Sequence, residues 1–100
     1  YFTTDASGNW TLNVRGDGST TLNSIMSIGE TLTIEFLVTN GATAYYQSGF
    51  QIDGVSVTPK FQGGTAPTAG TASSIDAYTI VIIKTADATF TVLESLVDFA

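Results

Sequence analysis

Apolar and polar residues alternate along much of the chain. In Trp10-Thr11-Leu12-Asn13-Val14 the apolar residues Trp10, Leu12 and Val14 share one parity, and Thr11 and Asn13 take the other. That period of two predicts a half-buried strand. Residues 31–39, "TLTIEFLVT", repeat the pattern, with Leu32, Ile34, Phe36 and Val38 inward and Thr31, Thr33 and Glu35 outward. Asn40-Gly41 follows, a strong short hairpin signal, and predicts that residues 42–47 ("ATAYYQ") turn back on this strand. Asp53-Gly54, between "FQI" and "VSV", predicts a second tight hairpin.

The stretch "SIDAYTIVIIKT" is apolar on both parities in its middle, as a central, covered strand should be. Ala86-Asp87-Ala88 reads as a short turn before "TFTVLESLVDFA". In that last stretch Phe90 and Val92 share one parity while Leu93, Val97 and Phe99 share the other, which predicts a bulge near Val92-Leu93-Glu94. The segment "STTLNSIMS" places Leu22, Ile25 and Met26 at helical spacing behind Ser19 as a cap, and reads either as one helical turn or as irregular structure. Six to eight short strands separated by Gly, Asn and Asp turns predict an all-β fold, an antiparallel β-sandwich or jelly roll in a single domain over residues 1–100. No repeat or linker divides the chain, so "FQGGTAPTAG" (residues 61–70) is a loop within that domain.

Composition narrows the function. Charged residues make up 12% of the chain, about half the usual share, which suggests a surface partly covered by something else. Nine acids stand against Arg15, Lys60 and Lys84, for a net charge of −6. Three scattered cations cannot neutralise a row of phosphates, so neither nucleic acid nor an anionic membrane surface is an expected partner. The longest apolar run, Ile80-Val81-Ile82-Ile83, is strand-sized, and no membrane insertion is expected. The chain begins at Tyr1 rather than Met, and is expected to be a fragment, a processed product or the ordered part of a longer chain.

The chain has no cysteine and no histidine, and no G-x-S-x-G elbow or EF-hand loop. Nucleophilic and metal-dependent hydrolysis lack their usual parts. The reading is non-enzymatic, with no catalytic, cofactor-binding or metal-binding residue assigned. Two acids meeting in space as a glycosidase pair would be needed to reverse it. Gly63-Gly64 lacks the helix of a phosphate loop; the glycines permit positive φ and Pro67 stiffens the return. Arg15-Gly16-Asp17 matches an adhesion tripeptide, yet Gly16-Asp17-Gly18 is what a turn after the first strand requires. Asn9-Trp10-Thr11 fits a glycosylation acceptor, but its Trp falls on the core parity. Tyr45, Tyr46 and Phe61, near Gln47 and Gln62, could form an aromatic platform for a sugar; such aromatics more often fill a core or a subunit contact.

The order of motifs over residues 8–100 resembles a β-rich module at the C-terminal end of structural proteins of tailed bacteriophages, particularly marine and cyanobacterial phages. The resemblance rests on "GNWTLNVRGDGSTTLNSIMSIGETLTIEFLVTNGATAYY" and then "FQIDGVSVTPKFQGGTAPTAGTASSIDAYTIVIIKT". Within it stand Val57, Pro59, Lys60, Phe61, Gly63, Gly64, Ala66, Pro67 and Thr68, followed by Ile75, Asp76 and Tyr78. Phe61 occupies a position where such modules more often carry Trp. The resemblance implies a virion component such as a tail fibre or spike, a neck part or a capsid decoration domain. It implies no catalytic residues, and it implies that the chain is the C-terminal part of a longer one. Other virion proteins would be its partners, a homo-oligomer (a trimer in a fibre) its working state, and Tyr45, Tyr46 and Phe61 its assembly contacts. The alternative is a carbohydrate- or receptor-binding module that reads a host surface glycan.

Overall fold

A computed structural model describes residues 1–100. Seven strands form two sheets: β1 (Trp10–Val14), β2 (Thr31–Thr39), β3 (Gln47–Ile52), β4 (Val55–Ser56), β5 (Lys60–Phe61), β6 (Ile75–Ala86) and β7 (Thr89–Phe99). One sheet has the order β1-β3-β4 and the other β2-β6-β7-β5. The two pack face to face as the predicted all-β sandwich. Each sheet includes one parallel pair, β1 with β3 and β5 with β7, so both are mixed rather than purely antiparallel.

Alternation sets the core. On β6 the inward residues Tyr78, Ile80 and Ile82 are fully buried and meet Phe50 and Ile52 of β3, Val38 of β2 and Val92 of β7. Trp10 of β1 packs at a tilt against Phe36 of β2 with ring centroids 4.9 Å apart, and edge-on against Tyr78 at 5.1 Å. Trp10 and Phe36 line a cavity of about 550 Å³ at the β1/β2 side, where the N-terminal segment crosses. Phe2 makes a parallel bridge to Val38 there.

The strands over residues 10–14 and 31–39, the long covered strand and the Asp53-Gly54 hairpin all form as predicted. Asp53 (φ 53°) and Gly54 (φ 80°) both take positive φ, as a type I′ turn requires. Two expectations about the strands are corrected. Asn40-Gly41 does not make a hairpin: β2 pairs with β6, and the chain leaves Asn40 to enter the other sheet at Gln47. Asn40 is buried, and its side chain bonds the distant Asp76 as well as the backbone of Tyr45, five residues on, rather than closing a two-residue turn. No bulge interrupts Val92–Glu94; β7 stays in register with β6 from Phe90 to Phe99, and the irregularity lies between Lys84 and Ala86. The phase shift has another cause. Phe90, Val92, Glu94 and Leu96 alternate inward, while Leu93, Val97 and Phe99 form an apolar outer face.

The helical turn is real but short: α1 spans Leu22–Ile25. Its cap is Thr21, whose hydroxyl accepts from the Ser24 N–H, and not Ser19. Four residues cannot sustain a helix alone, and tertiary contacts hold this one. The Asp53 carboxylate accepts from the N–H groups of Leu22 and Asn23, and the Lys84 ammonium donates to the carbonyls of Asn23 and Met26.

Candidate functional site

The loop after β5 organises the surface features. Phe61 ends β5, and residues 62–64 make a tight 3₁₀ turn in which Gly63 (φ 77°) and Gly64 (φ 79°) take the left-handed backbone expected of them. On one side of Phe61 lies a groove of about 440 Å³, bordered by Tyr46, Gln47, Ser48, Ser56, Thr58, Pro59, Phe61 and Pro67. None of its lining residues is charged. On the other side, Glu94 and Gln62 border two further grooves against β7.

Of the predicted contact residues, Tyr46 and Phe61 are therefore brought together, and Tyr45 is not. Tyr45 is pinned in the 41–46 loop, where its N–H donates to the Asn40 Oδ1 and its carbonyl accepts from the Asn40 Nδ2. Gly70 packs against that carbonyl so closely that a Cβ there would stand 2.1 Å from the oxygen. Gln62 is exposed beyond Phe61, and Gln47 is buried with its amide turned inward. The five-residue platform thus reduces to Tyr46 and Phe61, both half-buried, flanked by two prolines.

The acids are dispersed. Asp76 is fully buried and accepts from the Asn40 Nδ2 (2.9 Å), the Thr71 N–H (3.1 Å) and the Ser74 hydroxyl (3.3 Å), which occupy both of its oxygens. Asp98 lies across from it on β7, exposed. Glu94 and Asp98 share one groove, but four residues of extended strand hold them about 13 Å apart, too far for a glycosidase pair. Asp17 serves its own turn, accepting from the N–H groups of Ser19 and Thr20 at 2.7 Å each. The Ser19 N–H first, with Thr20 adding to it, holds that carboxyl below the usual carboxylate range. The Arg15-Gly16-Asp17 segment is thus a turn, as read. No group of three or more metal-ligating side chains assembles, and no helix is long and apolar enough to cross a membrane.

Two features escaped the sequence reading. One is the outer face of the four-stranded sheet, where Leu93, Val97 and Phe99 are 41%, 49% and 61% exposed beside Ala77 and Val81 of β6. Its signal was present, as the apolar second parity of β7. The other is the buried pair Gln47–Glu94, in which the amide Nε2 donates to the Glu94 Oε1 at 2.9 Å. An acid in phase with Phe90, Val92 and Leu96 was its only trace. Burial pushes the Glu94 carboxyl above its ordinary range, with the Gln47 bond opposing. Comparison with protein-family models, curated proteins and solved structures gives no match.

Proposed function

We propose that this chain is a non-enzymatic structural domain of a bacteriophage particle, working by association with copies of itself or with other virion proteins. The observation that carries the assembly part is the apolar outer face of β7, with Leu93, Val97 and Phe99 open to solvent on a sheet that already has its core on the other side. Such a face is exposed in a lone domain and covered in an assembled one. The low charge and the threonines beside it, Thr33 and Thr79, suit a buried contact. The order of motifs over residues 8–100 supports the phage setting and location in the virion. Tyr46 and Phe61 are secondary contact candidates.

Light scattering at several concentrations tests the reading. Wild-type protein is expected as a stable oligomer, a trimer if it belongs to a fibre, and a Leu93→Lys/Val97→Lys variant as a folded monomer. A wild-type monomer at all concentrations removes self-assembly.

The uncharged groove favours a second reading, a module for a neutral host glycan. Tyr46, Phe61 and the two prolines offer flat apolar faces for sugar C–H groups, and Ser48, Ser56 and Thr58 offer hydroxyls. A glycan screen of wild type against Phe61→Ala decides it: hits lost in the variant support the module, and a blank screen sinks it.

A further inference from the structure

Three buried side-chain atoms in the molecule lack a hydrogen-bond partner: the Trp10 Nε1, the Gln47 Oε1 and the Glu94 Oε2. The last two belong to residues already joined by the Gln47 Nε2–Glu94 Oε1 bond of 2.9 Å. Gln47 is 5% exposed and Glu94 3%, and both orphan oxygens are sealed from solvent. Two unpaired acceptors on one contacting pair are costly as they stand, since neither can donate and neither can reach water. A single proton removes both defects. Placed on the Glu94 Oε2, it makes that oxygen a donor to the Gln47 Oε1 and closes a two-bond acid–amide ring.

We propose that Glu94 carries this proton in the folded protein at neutral pH, so that β3 of one sheet and β7 of the other are joined by a proton-dependent latch beneath Phe61. The surroundings suit a neutral acid. From β6, the Tyr78 hydroxyl and the Asp76 carboxylate face the same interior, and neither favours a second anion. Tyr78 is already engaged, its oxygen accepting from the Gln47 N–H. On β5, Lys60 is exposed. On β7, Asp98 is exposed, and the 62–64 turn has no titratable group. Lys84, on β6, is committed to the carbonyls beside α1. No cation pairs with Glu94, so ionisation would leave a buried charge with one amide partner.

The linkage has a definite sign. A carboxyl whose folded pKa is raised contributes stability that is complete below its unfolded value, near 4.5. That stability is lost as pH rises through the folded pKa. Over that window the unfolding equilibrium constant should rise about tenfold per pH unit from this group alone. Glu94→Gln replaces the acid–amide ring by an amide–amide ring with the same two bonds and no titration.

Native electrophoresis tests the proposal without unfolding the protein. At pH 7, Glu94→Gln should run with wild type, whereas Glu35→Gln, altering an exposed acid, should lag by one charge. As pH is raised, the Glu94→Gln and wild-type mobilities should separate. Equal shifts in the two variants at pH 7 overturn the proposal. Should Glu94→Gln fold poorly, the carboxyl carbon resonance of Glu94 in wild type reports the same quantity. A titration in the ordinary carboxylate range refutes the latch, and one displaced above pH 7 supports it.

Discussion

Asp53 and Lys84 hold opposite ends of the same four-residue helix. The Asp53 carboxylate, on the β3–β4 turn, reaches the Leu22 N–H at 2.7 Å, and the Lys84 ammonium, on β6, reaches the Asn23 carbonyl at 2.7 Å. A negative group at the N-terminus and a positive one at the C-terminus match the polarity of the peptide dipoles. The helix therefore ties the three-stranded sheet to the four-stranded one, and both side chains owe their position to strands.

Removing either clamp should loosen that tie. Asp53→Ala is expected to cost about 1–2 kcal/mol as a lost cap, with added strain at its positive φ, and Asp53→Asn less. Lys84→Met should cost about 1–3 kcal/mol, because two carbonyls lose a charged donor. Urea unfolding measures both. In the double variant the losses should fall short of additive, since the second clamp has little left to hold. Strict additivity would show that each acts locally.

Asn40 joins three segments. Its amide bonds the buried Asp76 and both backbone groups of Tyr45. Asn40→Ala should therefore destabilise by about 3 kcal/mol, since the carboxylate of Asp76 loses its side-chain amide donor while remaining buried. Asp76→Asn in the Asn40→Ala background should recover part of the loss by removing the charge. A urea series over the single and double variants checks the order.

Gly70→Ala places a methyl carbon against the Tyr45 carbonyl. The obstacle is backbone, so the 41–46 and 70–74 loops must separate. Faster amide exchange at Tyr45 and Thr71, with the β6–β7 core unchanged, is the expected readout.

At high pH the weak point is Tyr78. Burial, first, and the nearby Asp76 and Glu94 charges push its phenol up to about 12, against the opposing bond from the Gln47 N–H. The neutral form is favoured in the fold, so this contribution is intact below pH 10 and is lost as pH rises from 10 through about 12. Tyr78→Phe should abolish that alkaline slope while lowering stability at pH 7 by about 1–3 kcal/mol, because the Gln47 N–H loses its acceptor. Unfolding midpoints from pH 8 to 12 test both halves.

The sandwich and most of its strands were legible because alternation reports burial directly, as in Trp10–Val14 and Thr31–Thr39. The pairing was not. Asn40-Gly41 carries a hairpin signal, but Asp76 and the 70–74 loop draw Asn40 inward, and β2 finds its neighbour far along the chain. Local turn chemistry cannot register such a partner. β7 misled for a related reason. Its apolar residues occupy both parities because both faces are apolar, and an inward acid at position 94 broke the inner series. Of the residues described at the candidate site, Tyr46 and Phe61 were recoverable as strand-end aromatics. Gln47 and Glu94 were not, because their relationship exists only once the two sheets are stacked.

The β6–β7 hairpin, closed by Asp87-Ala88, is the one extended pairing made between chain neighbours. Strands β1 and β3, β2 and β6, and β5 and β7 all meet across long intervening stretches, two of these pairs in parallel. Closing those intervals is entropically slow, so the hairpin is the natural first structure on the folding pathway. Its strands lie at the C-terminal end of the sequence, and a chain emerging from the ribosome cannot begin to order its interior until nearly all of these residues have been made.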